Sequence, residues 1–331
     1  MPFAVPICRA HLPLTIPAWR KRLIRERTAG TNRGRLTLTA RPTMTTPLPD
    51  LMQDPRARAV IQTALAEDVG SGDVTTLALV DPSARMQGAI LSREPCRVAG
   101  VGVAAAVMRA VDPGIVCEPV RPDGTDAGSG DAILRVKGPA AGILVAERTA
   151  LNFMQRMCGI ATQTARFVDA VKAFGTTILD TRKTTPGLRL FEKYSVRCGG
   201  GQNHRFGLYD RVLIKDNHRR LWHDGDPGRL DLAVAAARRR FPALEVEVEV
   251  ESLDELRSAL NGRPEWVLLD NMTCALMCEC VALARGIAKT EASGNMTLDR
   301  VRDVAATGVD AISVGGLTHS SRAVDLSLEW T

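Results

Sequence analysis

From Thr176 onward the chain repeats one unit: a short apolar run, then charged or glycine residues, then a helical stretch. The runs read "TTILDTRK", "RVLIKDN", "LEVEVEVES", "EWVLLDN" and "AISVGG". Between the later ones lie "LDLAVAAARRRFP", "SLDELRSALNG" and "TLDRVRDVAATG", each with helical periodicity. Strand–helix alternation of this kind builds a parallel sheet, and about six units predict a closed β/α barrel rather than an open sheet. No apolar run approaches the roughly 20 residues that a membrane-spanning helix needs.

The strand ends carry the chemistry. They read Asp180-Thr181-Arg182-Lys183, Lys215-Asp216-Asn217, Glu249 with Glu251, Asp270-Asn271 and Gly315-Gly316. In a barrel, such ends converge on one face, where sites form. A single charged strand end is an ordinary solvated turn; five in succession with alternating sign predict a site. Arg182 offers a planar fork for a carboxylate, and Lys183 a point charge for phosphate. In "GGGQNHRFGLYD", three glycines allow a sharp bend or close backbone approach to a ligand, and His204 and Arg205 follow. Lys215 ends a strand.

Glu249 and Asp270 either pair with Lys183 or Lys215, or serve a Mg²⁺ or ribose-hydroxyl site, because hard oxygen ligands suit Mg²⁺ bound with phosphates. Strict alternation gives Glu247 and Glu251 the same facing as Glu249, so periodicity does not choose among the three. Ser293-Gly294-Asn295 before a helix and Gly315-Gly316 after the last strand suit phosphate, which backbone N–H groups bind at such turns. His319 points to the same phosphate or caps the C-terminal segment.

Ahead of the barrel, Asp54–Gly70 reads as an amphipathic helix ended by its glycine. "GSGDVTTLALV" is a glycine-rich turn into another element. Residues 86–138 read as strands with Gly, Pro and Asp turns around a helix "AVMRAV". Gly142–Gly175 reads as helical, with a break expected near Gly159. Cys274, Cys278 and Cys280 tempt a metal reading, but they stand at helical spacing in an apolar stretch with no histidine near, which favours packing. The eight cysteines show no paired spacing, which suits a reducing cytoplasm.

Net charge is +6, yet nine of the bases lie in residues 1–49 with one acid, leaving 34 bases against 36 acids in the rest. The body gives no reason to expect a nucleic-acid partner. Residues 1–43 form a basic leader without the apolar core of a secretory signal. It reads as a transit segment, a disordered arm, or upstream sequence with the start at Met44; the last is favoured because Met44 directly precedes a well-patterned domain.

Taken together, "AEDVGSGDVTT", "ERTALNFMQRMCGIAT", "LDTRKTTPGLR", "EKYSVRCGGGQNHRFGLYD", "LIKDNH", "EVEVES", "VLLDNM", "EASGN" and "ISVGGLTHS" closely resemble the quinolinate phosphoribosyltransferase family, in family order from about Asp50 to the C-terminus. The resemblance implies an N-terminal α+β sandwich-like domain (44–149, with 317–331 packing on it) and an incomplete β/α (TIM-like) barrel (150–316). It implies nicotinate-nucleotide diphosphorylase (carboxylating) activity in NAD biosynthesis, with phosphoribosyl pyrophosphate as co-substrate and Mg²⁺ as cofactor.

It places quinolinate on Arg148, Arg182, His204, Arg205 and Lys215. Phosphoribosyl pyrophosphate falls on Lys183, Glu249, Asp270, Ser293, Gly294, Gly315 and His319, with Mg²⁺ near Glu249 and Asp270 through pyrophosphate and water. It further implies a homodimer in which Arg148 reaches the neighbouring subunit's site. This chain departs from the family pattern in three places. The segment between Asp270 and Ser293 is short, Asn295 stands where a second glycine is common, and "LWHDGDPGRLDL" alters the loop after Lys215.

Overall fold

The computed structural model describes residues 48–223 and 225–330; the leader, residues 1–43, lies outside them. Asp54 caps the first helix by accepting the Arg56 N–H at 2.8 Å, and Pro55 occupies its first turn, where no N–H is needed. That helix, α1 (Pro55–Val69), is followed by α2 (Val74–Leu79), β1 (Arg85–Ser92), β2 (Cys96–Arg97), α3 (Val101–Val111), β3 (Val116–Pro119), β4 (Asp126–Ala127) and β5 (Ala132–Pro139). A 32-residue helix, α4 (Ala140–Val171), then crosses the molecule.

The repeating half comprises β6 (Thr177–Leu179), α5 (Arg189–Cys198), β7 (Val212–Ile214), α6 (Asp216–Arg220), α7 (Leu230–Arg240), β8 (Val246–Val250), α8 (Leu253–Asn261), β9 (Trp266–Asp270), α9 (Cys274–Ala284), β10 (Lys289–Ser293), α10 (Leu298–Ala306), β11 (Ala311–Ser313) and α11 (Gly316–His319). The final strand, β12 (Leu326–Trp330), returns to the first half and pairs antiparallel with β1 in the order β12-β1-β5-β3.

The second sheet is parallel, in the order β6-β11-β10-β9-β8-β7. Its outer strands β6 and β7 share no ladder; a single bridge from Leu179 to Gln202 occupies that side. The closed barrel expected from the unit count is therefore an incomplete one, as the family resemblance implies. All five residues of β8 are buried. Its valines join the core that also holds Leu256 of α8 and Val234 of α7, while its glutamates fall on the opposite face. The sequence reading misses β10, because "KTEAS" has no apolar run even though Thr290, Glu291 and Ala292 are all buried.

The expected break at Gly159 is absent, and α4 runs through it. A Cβ on Gly159 would lie 2.0 Å from the Arg322 carbonyl oxygen, so the glycine lets the segment leading to β12 cross the helix at close range. The side chains of α4 before Gly159 pack in one core with α3 and β1, and Phe167 and Val171 pack in the other with β8 and β9. Residues 149 and 150 both lie inside this helix. Gly159→Ala should lower stability by about 1–3 kcal/mol, the usual range for overpacking. Ala raises helix propensity by up to about 1 kcal/mol, so a urea midpoint that rises on substitution would show that the crossing gives way easily.

Candidate active site

Where the parallel strands end, they enclose a cleft of about 560 Å³. Arg182 and Lys183 enter it after β6, His204 and Arg205 from the loop before β7, and Lys215 from the end of β7. Glu249, Asp270, and Ser293 with Gly294 come from the ends of β8, β9 and β10. Arg148 is exposed on α4 and does not line this cleft. Gly315 and His319 also lie outside the lining, but beside Lys183. A Cβ on Gly315 would meet Lys183 Cδ at 2.9 Å and His319 Nε2 at 3.2 Å.

The loop carrying Arg182 and Lys183 is held from several sides. Thr318 Oγ1 donates to the Lys183 carbonyl at 2.8 Å, and Lys183 N–H donates to Thr181 Oγ1 at 3.0 Å. Arg189 Nε donates to Thr184 Oγ1 at 2.9 Å. Glu192, buried on α5, accepts the Thr185 N–H at 3.0 Å and Arg156 Nη2 at 2.6 Å. Arg156 also donates to the Thr318 carbonyl at 2.5 Å. These bonds, charge-assisted where Arg156, Arg189 and Glu192 take part, order the loop before any ligand arrives.

Two charged strand ends prove to be internally paired. Asp180 is fully buried, with an ion pair to Lys193, Asn203 Nδ2 at 2.6 Å and the His204 N–H at 2.9 Å. It fixes the loop that bears His204 and Arg205. Lys215 pairs with Glu249 across the mouth of the cleft, so either group reaches a ligand only by sharing or exchanging that partner. Arg182, Lys183 and Arg205 have no carboxylate partner among the described residues, and Arg182 Nε has no hydrogen-bond partner at all. Burial, and next the neighbouring Arg182 charge, lower the pKa of Arg205. Half-buried cations crowded in this way are stabilised by an incoming anion.

Of the three successive glycines of "GGGQNHRFGLYD", Gly200 makes the sharp bend at φ 87°, and the other two serve packing. A Cβ on Gly199 would sit 2.5 Å from the Ala161 carbonyl oxygen, and one on Gly201 would sit 2.8 Å from Thr164 Cγ2, both on α4. At the far side of the cleft, Asn271, Gly294 and Asn295 all adopt positive φ, at 52°, 97° and 45°. Asn295 adopts a conformation that favours glycine, and Asn tolerates this left-handed region better than most side chains. Arg300 of α10 donates to the Gly294 carbonyl at 3.0 Å and the Met272 carbonyl at 2.8 Å, tying the two loops together.

Arg300 and Glu291 carry no signal in the sequence, Glu291 lying in the unrecognised β10, and Glu247 is one of three glutamates that periodicity does not separate. Glu247 and Glu291 are fully buried, facing His204 from below. Glu251, the third glutamate, is exposed. Another cavity of about 410 Å³ opens around the opposite strand ends, but its acids are taken: Glu265 pairs with Arg238, and Asp310 accepts from Thr290.

The quinolinate phosphoribosyl transferase N-terminal domain matches residues 73–158, and the C-terminal domain of the same family matches residues 160–329. The nicotinate-nucleotide pyrophosphorylase [carboxylating] of Mycobacterium leprae is 44% identical over 281 residues, covering 82% of this chain and 96% of that protein. The chloroplastic rice protein of the same name is 41% identical over 288 residues, covering 82% of this chain and 77% of that protein. The solved nicotinate-nucleotide pyrophosphorylase of Francisella tularensis superposes with a TM-score of 0.79 at 36% identity, over 86% of this chain and all of that one. With both domains matched and the likeness running through most of its length, the chain belongs to the quinolinate phosphoribosyltransferase family.

Proposed function

We propose that this protein transfers the phosphoribosyl group of phosphoribosyl pyrophosphate to quinolinate, releasing pyrophosphate and CO2 and giving nicotinate mononucleotide. The observation that carries the reading is the set Arg182, Lys183 and Arg205 around one cleft, none with a carboxylate partner among the described residues. Quinolinate bears two adjacent carboxylates and needs several cations converging at short range. Arg182 and Arg205 supply two forks, and Lys215 supplies a third charge when it leaves Glu249.

The pyridine nitrogen lone pair forms a bond to the anomeric carbon as the bond from that carbon to pyrophosphate breaks, with the electron pair leaving on oxygen. Positive charge builds on the ribose, and Glu249 and Asp270, both lining the cleft, are the carboxylates to stabilise it. The product ring is a pyridinium. Its 2-carboxylate leaves as CO2, the bonding pair stays at ring C2 under the pull of the cationic nitrogen, and a proton from solvent replaces it. No covalent enzyme intermediate is needed.

Mg²⁺ belongs to this reading, and the donor set suits it. Glu249 and Asp270 are hard oxygen donors at one cleft, yet they are not part of any group of three protein ligands among the described residues. That fits an ion carried in with pyrophosphate and completed by water. When bound, it neutralises charge on the leaving pyrophosphate. Lys183 adds a second positive charge on that side, next to Gly315 and His319, and Ser293-Gly294 offer polar groups to the ribose phosphate.

The reading includes a homodimer acting in the cytoplasm. Arg148 is exposed and outside its own chain's cleft, and α2 presents Val74 and Leu77 at 75% and 77% exposure, which a second copy would cover. If Arg148 serves the neighbouring site, mixing Arg148→Ala with Lys183→Ala subunits should restore activity up to about a quarter of wild type, since one of the two sites in each heterodimer is intact. No recovery despite demonstrated subunit exchange would refute the shared site. The reaction itself is tested by supplying quinolinate, phosphoribosyl pyrophosphate and Mg²⁺ and following nicotinate mononucleotide and CO2. Turnover of nicotinate but not quinolinate would overturn the assignment.

A further inference from the structure

We infer that Glu247 and Glu291 are positioning residues for this reaction, orienting His204 from beneath the cleft and keeping its ring positively charged toward a substrate carboxylate. The inference rests on the proposed function. Glu247 lies on β8 and Glu291 on β10, flanking β9. Both are 0% exposed, and His204 above them is 9% exposed. His204 Nε2 lies 2.9 Å from Glu247 Oε2 and 3.4 Å from Glu291 Oε2. Glu247 Oε1 and both Glu291 oxygens have no hydrogen-bond partner. Two buried carboxylates this close require neighbouring positive charge or a shared proton.

The surroundings supply only part of it. Arg211 Nη1 approaches Glu247 at 3.4 Å, and Ser313 of β11 bears on Glu291. On the other side of His204, its N–H donates to Asp180 and its carbonyl accepts from Lys193, a pair already matched to each other. Arg205 follows in the chain, influenced by Arg182 and Asp210. Arg211, which also pairs with Glu245, and the charge of Arg205 bear on Glu247, while burial and next the Glu247 charge raise the pKa of Glu291; a proton on His204 completes the balance.

Burial lowers the pKa of His204, but the close contact with Glu247 and the nearby carboxyl group of Glu291 outweigh it and hold the ring at about 9. The Arg205 N–H donates to Nδ1 at 2.7 Å, so the charged ring must release this bond and turn Nδ1–H to another acceptor. A carboxylate held by Arg182 and Arg205 is such an acceptor in the same cleft.

The expected behaviour follows from the sign of the shift. With the ring charged below about 9, KM for quinolinate should stay flat from pH 7 to 8 and rise as pH passes 9. Glu291→Gln removes one of the two carboxylates without changing shape. It should move that rise down by about one unit or more and raise KM for quinolinate roughly three- to eightfold at pH 8.5. KM for phosphoribosyl pyrophosphate should change less than about twofold. Glu247→Gln should act in the same direction, with an added loss of kcat because it frees the ring.

Equal rises in both KM values with a lowered melting temperature would mean a merely structural role, and an unmoved pH profile would equally overturn the inference. Should a variant fail to fold, ¹⁵N titration of the histidine rings in the wild type decides: a His204 pKa at or below about 6.5 sinks the proposal. A wild type that does not turn over quinolinate would refute the reaction instead, while the same titration still reads the ionic arrangement by itself.

Discussion

Arg182→Ala is expected to lower kcat/KM for quinolinate by roughly 30- to 900-fold, equivalent to about 2–4 kcal/mol of transition-state stabilisation. Its guanidinium lines the cleft, and among the described residues its Nε has no partner and no carboxylate answers it. The wild-type cleft therefore gains an ion pair on binding with no internal pair to break. Lys215 differs, because Glu249 already holds it, and Lys215→Ala should do less damage to binding. Arg182→Lys should recover only part of the loss, because an ammonium cannot make the two parallel bonds of a fork. Steady-state kinetics with each substrate varied separately test this: the loss should fall on quinolinate, and an equal loss on phosphoribosyl pyrophosphate would place Arg182 elsewhere. Stability should hold or rise slightly, since the substitution relieves repulsion with Arg205.

Gly294→Ala is expected to raise KM for phosphoribosyl pyrophosphate at least tenfold while leaving quinolinate binding nearly unchanged. Gly294 has φ of 97°, a conformation that L side chains rarely adopt. An added Cβ would also lie 2.1 Å from Asn271 Oδ1 and 2.9 Å from the Asn271 backbone nitrogen. The backbone strain alone is worth about 1–3 kcal/mol, and 1.4 kcal/mol is already about a factor of ten in binding. The loop has little freedom to yield, because Arg300 grips the Gly294 and Met272 carbonyls and the Asn271 N–H is bonded to the Ser293 carbonyl at 3.1 Å. A KM for phosphoribosyl pyrophosphate within twofold of wild type would show that this turn does not meet the ribose phosphate.

Much of the site was legible because a β/α sheet sends successive strand ends to one face. Arg182, Lys183, His204, Arg205, Lys215, Glu249, Asp270, Ser293 and Gly294 were visible in one dimension as breaks at the ends of apolar runs or in the loops beside them, and the cleft gathers them. Partnership was not legible. Asp180 and Lys215 look like Arg182 and Lys183 in the sequence, yet the first is spent on Lys193 and the loop of His204, and the second is held by Glu249 until a ligand exchanges with it. Nor did alternation separate Glu247 from Glu249 and Glu251, because it does not show that the strand ends at Val250 or how deep each glutamate lies.

Glycine was the least legible residue. Gly159 reads locally as a helix breaker, but its reason lies at Arg322, far along the chain. Gly199 and Gly201 read as allowing a sharp bend or close approach to a ligand, but they admit the side of α4. Local pattern sees backbone freedom; it does not see what approaches the backbone. β10 escaped for a related reason, since a buried glutamate in a short strand looks polar until Glu247 and His204 are found beside it.

The order of apolar runs and charged breaks thus determined, by itself, the class of fold, the face that carries the site and the anionic nature of what binds there, because period and sign are local properties of the chain. Only the tertiary structure decided which charges remain free for a ligand and which are consumed inside the protein. Pairing depends on distances of a few ångströms between residues on different strands, and burial strengthens each such choice by removing the water that would otherwise screen it.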